Sequence, residues 1–202
     1  MSPTTRAAGL APRAGRLSAL EGDRRAGPRE RRRAQRADGA AGQRLRGGDR
    51  RVAPDVLLVC SSGGHLAQLV TLSSELAESR RRWVTFCTGD AESVLADEVL
   101  IAAHHPTTRN VPNLLRNCVL AWRTLRERRP DVVVSSGAAV AFPFFVLARA
   151  MGIPTIYVEV YDRLDGPTLT GRLCRPFSTR VLVQWEEQLE FYPGATVVGP
   201  LL

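Results

Sequence analysis

Six short apolar runs recur from residue 55 onward, each closed by a polar or glycine-rich break and followed by a different local pattern. This alternation constrains the fold more than any other feature. Runs without polar alternation, such as VLLVC after Asp55 and VVV after Asp131, suit strands covered on both faces. The predicted strands are 55–61, 83–88, 99–103, 131–136, 154–159 and 179–184, with a short seventh at 196–199. Helical spacing links them. Leu66, Leu69, Val70, Ser73, Leu76 and Ala77 form one face of a helix, with Arg80–Arg82 suited to its C-terminal end. Residues 91–98 read as a short helix. Pro112 opens another, with Leu115, Cys118, Val119, Trp122 and Leu125 as its expected buried stripe. Ala138–Met151 and a short segment near 168–175 complete the set. Strand–helix alternation of this kind yields a parallel sheet with right-handed crossovers, an α/β Rossmann-like domain.

Charge sets the domain limits. Residues 1–51 hold 14 Arg and 5 acidic residues, whereas 52–202 hold 14 Arg and 15 acidic residues. The basic excess therefore lies in the first quarter, which is Arg, Ala and Gly with scattered Leu. Such a segment buries too little apolar surface to offset its ordering entropy, so residues 1–53 are expected to be a disordered tail and 54–202 the single folded domain. Runs such as Arg31–Arg33 could meet nucleic acid or anionic headgroups, the latter at about 1 kcal/mol per Arg. The plainer expectation is an inert segment, or a start site assigned upstream of the true one. The folded part is nearly neutral, and no nucleic-acid partner is expected. No run of 18 or more apolar residues suggests a membrane span, and the N-terminus does not read as a signal peptide. Cys60, Cys87, Cys118 and Cys174 lack paired spacing, which fits a reduced cytoplasmic setting.

Ligands of parallel sheets bind at the carboxyl ends of strands, so the loops after each strand carry the chemistry. After the first come Ser61, Ser62, Gly63, Gly64 and His65. Two glycines allow a tight turn and close backbone approach, and the helix that follows aims free N–H groups at an anion. The spacing matches neither a dinucleotide fingerprint nor a P-loop. His65, in the first helical turn, is disfavoured as a cation; it is either a proton acceptor for a sugar hydroxyl or a structural histidine. Gly137, in Ser135–Ala139, repeats the small-residue logic as a second anion cradle or a plain turn. Glu159 ends the fifth strand and either positions a sugar hydroxyl, orients His65, or forms an internal ion pair with Arg163; Arg163 could instead bind phosphate. Phe142, Phe144 and Phe145 belong to a buried helix or to a patch that meets membrane or partner. His104 and His105 near Arg109 could bind phosphate; no third ligand supports a metal, and no D-x-D pair offers a nucleotide-sugar metal site.

The combination SSGGHL at 61–66, Arg109-Asn110, RPDVVVSSGAAVAFPF at 129–144, Tyr157-Val158-Glu159, Arg163, LTGRL at 169–173 and VQWE at 183–186 resembles the bacterial PssD-type polysaccharide proteins. That family includes the membrane-anchoring subunit of the split UDP-GlcNAc transferase of dolichol-linked oligosaccharide synthesis, and it is similar to the N-terminal half of MurG. The resemblance runs from about Asp55 onward. It implies one half of a GT-B glycosyltransferase that binds a lipid-diphosphate acceptor at the cytoplasmic face of the plasma membrane. A separate PssE-like chain would bind the UDP-sugar, and transfer would need no metal or other cofactor. Carried over by position, the Gly63-Gly64 loop is expected by the acceptor diphosphate, His65 near the reacting hydroxyl and Gly137 in MurG's second glycine-rich loop; Ser62, Arg109 and Arg163 are further candidates for the diphosphate region, and Glu159 for orienting the sugar or the histidine. Phe142, Phe144, Phe145 and Trp185 are the expected membrane or partner contacts. Residues 199–202 fall about where a MurG-like chain crosses into its donor domain. Eukaryotic members carry an N-terminal transmembrane anchor where this chain has its basic tail. Two other expectations stand beside this one: a non-catalytic membrane scaffold that recruits a catalytic partner, and a dinucleotide-binding oxidoreductase, against which the missing third glycine argues.

Overall fold

The computed structural model describes residues 53–201. The tail expected over residues 1–53 lies, but for Ala53, outside the described residues. Seven parallel strands form one sheet in the order β3-β2-β1-β4-β5-β6-β7. They are β1 (Asp55–Val59), β2 (Arg80–Thr85), β3 (Val99–Ala102), β4 (Val132–Ser135), β5 (Thr155–Val158), β6 (Arg180–Val183) and β7 (Thr196–Val197). The helices are α1 (Gly64–Ser74), α2 (Gly89–Val94), α3 (Val111–Glu127), α4 (Ala141–Ala150) and α5 (Leu169–Cys174), with 3-10 turns at Arg175–Phe177 and Glu186–Glu190. The expected α/β Rossmann-like architecture is what the chain adopts.

Every residue of β1 is buried, as a central strand with helices on both faces requires. Leu57, Val59, Val133, Phe144, Phe145 and Tyr157 pack one side of the sheet; Val56, Leu58, Leu66, Leu69, Trp83 and Val134 pack the other.

Three local expectations are corrected. Arg80–Arg82 do not end α1, which stops at Ser74; they open β2. Arg82 is buried because Asp55 accepts from its Nε at 3.2 Å, and Arg128 completes the cluster at 2.5 Å from the same carboxylate. An arginine-rich run can thus enter a strand when a buried carboxylate neutralises it.

α3 is turned the opposite way from its expected stripe. Leu125 is buried, but Leu115, Val119 and Trp122 are exposed. Asn113 and Asn117 face inward instead. Asn117 bonds both the N–H and the carbonyl of His104 at 2.9 Å, and the Asn113 amide donates to the Pro106 carbonyl. The loop after β3 needs polar partners there, and the two asparagines supply them.

α4 begins at Ala141 rather than at Ala138. Gly137 and Ala138 both have positive φ, 114° and 63°, which places a left-handed corner before the helix.

Candidate functional site at the sheet's switch point

The strand order reverses direction between β1 and β4, and the loops after these two strands share one crevice. Gly63 caps α1 at φ 75°, ψ −137°, a backbone conformation only glycine adopts without strain. Among the described residues no side chain makes a capping bond to this helix and its first turn holds no acid; the Asp90 carboxylate stands near the Gly63 N–H, and the helix's own leading N–H groups and the positive end of its dipole face the crevice.

His65 stands in that first turn, half-buried. Its Nδ1 lies 2.8 Å from the Ser136 carbonyl oxygen, and the Ser136 hydroxyl donates back to the His65 carbonyl at 2.8 Å. A carbonyl can only accept, so Nδ1 carries the proton and Nε2 of the neutral ring holds a lone pair. Among the described residues Nε2 has no hydrogen-bond partner. Burial lowers the His65 pKa below its ordinary 6.5; the bond to Ser136 and the charges of Glu159 and Asp162 oppose this less strongly. The imidazole is therefore neutral near pH 7 and able to accept a proton.

Gly137 closes the crevice from the β4 side. A Cβ there would lie 3.1 Å from the Tyr157 hydroxyl and 3.2 Å from His65 Cε1. The glycine is required both by its φ and by the close approach of the imidazole. The loop of Ser62, Gly63, Gly64 and His65 and the corner at Gly137 thus lie against one another.

Glu159 is not part of this surface. It is fully buried, and its carboxylate accepts from the N–H of Val160, from the N–H and hydroxyl of Thr168, and from the Tyr192 hydroxyl. The imidazole is oriented by Ser136 rather than by Glu159, and no Glu159–Arg163 ion pair forms among the described residues. Burial and this negative charge push the Tyr157 and Tyr192 hydroxyls far above their usual range, so both stay protonated donors. Glu159 acts as an anchor for the loop between β5 and α5.

A glutamine relay not foreseen from the sequence extends this anchor. The Gln184 amide donates to Gln68 Oε1 at 2.7 Å and to the Glu159 carbonyl at 2.9 Å. Gln188 donates to the carbonyls of Val160 and Arg163. The only sequence signal is Gln68, a polar residue interrupting the apolar face of α1.

Arg109 and Arg163 are both exposed. Arg109, at φ 52°, lines an apolar groove of about 470 Å³ beside the N-termini of α3 and α4. The expected membrane or partner patch dissolves in part. Phe144 and Phe145 are fully buried, with Phe145 edge-on to Tyr157. Trp185 is half-buried and donates its indole N–H to the Tyr161 carbonyl. Of the four aromatic residues, Phe142 alone lines the groove.

A family profile described as "Oligosaccharide biosynthesis protein Alg14 like" matches residues 102–201. The "UDP-N-acetylglucosamine transferase subunit ALG14" of Yarrowia lipolytica is 26% identical over 176 residues, covering 74% of this chain and 82% of that protein. The chain is related to the Alg14-like proteins. It is also related to MurG-type enzymes. The "UDP-N-acetylglucosamine--N-acetylmuramyl-(pentapeptide) pyrophosphoryl-undecaprenol N-acetylglucosamine transferase" of Methylococcus capsulatus is 27% identical over 162 residues, covering 71% of this chain. The chain spans 44% of that enzyme's length. Among solved structures, Acinetobacter baumannii MurG superposes with a TM-score of 0.58 at 19% identity, over 72% of this chain and 46% of that one. A UDP-N-acetylglucosamine 2-epimerase superposes at 0.56 and 13% identity. At these identities the likeness is one of fold: the chain shares the Rossmann-like parallel α/β fold found over part of those longer proteins.

Proposed function

We propose that the chain is the acceptor-binding subunit of a two-chain glycosyltransferase, which moves a sugar from a UDP-sugar to a lipid-diphosphate acceptor in polysaccharide or lipid-linked oligosaccharide synthesis. The observation that carries the reading is neutral His65, with a free Nε2, beside an uncapped helix N-terminus at the sheet's switch point. The helix end and the glycine corners favour the acceptor's diphosphate. His65 Nε2 takes the proton of the acceptor hydroxyl as its oxygen bonds to the anomeric carbon and the bond to UDP breaks, releasing UDP. No metal is assigned to this step. The relatives named as UDP-N-acetylglucosamine transferases favour this reading over an oxidoreductase. The donor half is assigned to a separate PssE-like chain.

The same reading places the protein peripherally on the inner face of the plasma membrane. Support comes from α3, whose outer face exposes Val111, Leu115, Val119 and Trp122. Exposed Arg116, Arg123 and Arg126 flank it, and none of them forms an ion pair among the described residues. Apolar residues beside unpaired arginines suit an anionic headgroup layer.

The direct test is where the acceptor binds. A photoreactive polyprenyl diphosphate, offered to the two chains together, should crosslink to this chain within the 61–66 and 136–139 loops. Crosslinking confined to the partner would refute the assignment.

A further inference from the structure

The groove beside Arg109 lies between three helix ends. Val111 and Leu114 come from α3, Phe142 from α4 with Ala139 just before it, and Leu169 and Leu173 from α5. Its volume of about 470 Å³ falls within the range of small-molecule sites, roughly 300–1,000 Å³. Leu169 and Leu173 are 72% and 45% exposed, one helical turn apart on α5. Among the described residues Arg109 is the lone charged member of the lining, which includes no carboxylate. Ala139 of the lining stands two residues along the chain from Gly137, where a Cβ would meet His65. Val111 belongs both to the groove and to the exposed apolar face of α3, so the two apolar surfaces meet at that residue.

We propose that this groove takes the isoprene units nearest the diphosphate of a polyprenyl-diphosphate acceptor, entering along α3. The inference rests on the acceptor-binding reading and adds to it the place of the lipid. An apolar channel with a cation and no anion suits a ligand whose tail is hydrocarbon and whose head is anionic. With Ala139 at the Gly137 end of the lining, the head would lie toward the α1 N-terminus, and the shared residue Val111 would let the remaining tail follow α3 into the bilayer.

The test uses the full chain and measures binding of inorganic diphosphate, geranyl diphosphate, farnesyl diphosphate and farnesol by titration calorimetry below micelle-forming concentrations. Affinity should rise with chain length, with farnesyl diphosphate at least about tenfold tighter than inorganic diphosphate. Leu169→Gln with Leu173→Gln, neutral and at exposed positions, should bring that ratio to within about threefold. Circular dichroism checks the fold of the variant, and the chain-length series needs no variant at all. Equal affinity for inorganic and farnesyl diphosphate, or a preference that survives both substitutions, would overturn the groove assignment. If farnesol binds as tightly as farnesyl diphosphate and loses affinity in the variant, the groove stands and the diphosphate site of the acceptor reading falls.

Discussion

His65 and Ser136 hold each other, each side chain bonding the other's main chain: Nδ1 donates to the Ser136 carbonyl, and the Ser136 hydroxyl donates to the His65 carbonyl, both at 2.8 Å. One pair of bonds ties the loop after β1 to the loop after β4 and fixes which ring nitrogen is free. His65→Ala should lower the rate of sugar transfer by about 10²–10⁴-fold, as loss of a general base does. Steady-state kinetics of the two-chain enzyme would show the loss in kcat more than in acceptor KM. A loss below tenfold in a folded variant would demote His65 to a structural role.

The depressed His65 pKa has a definite sign in both rate and stability. Transfer requires the neutral ring, so kcat/KM should rise through a pKa below 6.5 and be level from pH 7 upward. The unfolded chain, with an ordinary histidine, binds more protons in the window below 6.5. Stability therefore rises with pH there and falls on acidification. Denaturant midpoints at pH 5.5 and 7.5 would show the wild type losing more than His65→Asn. A pKa above 7 in the rate profile would contradict the account.

Two glycines should respond differently to alanine. At Gly137 a Cβ meets Tyr157 and His65 as well as an unfavourable φ, so Gly137→Ala should cost about 1–3 kcal/mol and move the imidazole. At Gly63 the space is open and only the backbone is strained, at about 1–2 kcal/mol. Thermal unfolding and the transfer rate, read together, would show Gly137→Ala as the more damaging of the two.

Glu159→Ala leaves the N–H groups of Val160 and Thr168 and the Tyr192 hydroxyl without their acceptor. Each buried donor left without an acceptor costs about 1–3 kcal/mol, so Tm should fall by about 5 °C or more for a domain of this size. Hydrogen exchange should become faster across residues 160–168. A catalytic Glu159 would instead give a stable, inactive variant.

Leu115→Glu with Trp122→Glu should release the protein from anionic vesicles while changing stability by no more than about 0.5 kcal/mol, since both side chains are exposed. Co-sedimentation with phosphatidylglycerol vesicles at two salt concentrations measures the loss. Retained binding would move the membrane contact elsewhere.

The sheet was legible because buried parallel strands are continuous apolar runs, and the small-residue loops at Gly63 and Gly137 announced the crevice. The face of α3 was not legible. Its apolar spacing is genuine, but two asparagines bind a loop that only the folded chain brings beneath them. Arg82 misled for a similar reason, since its partner Asp55 is 27 residues away. Glu159 sits at a strand's carboxyl end, where a carboxylate reads as catalytic. Its ligands Thr168 and Tyr192 lie in later segments and convert it to an anchor.

The central claim is tested most directly by sugar transfer from a panel of UDP-sugars into a polyprenyl-diphosphate acceptor, with this chain alone, a PssE-like partner alone, and both. The account predicts transfer only when both chains are present, and its loss with His65→Ala in this chain. Transfer by the partner alone at an unchanged rate would contradict it and leave this chain, at most, a scaffold.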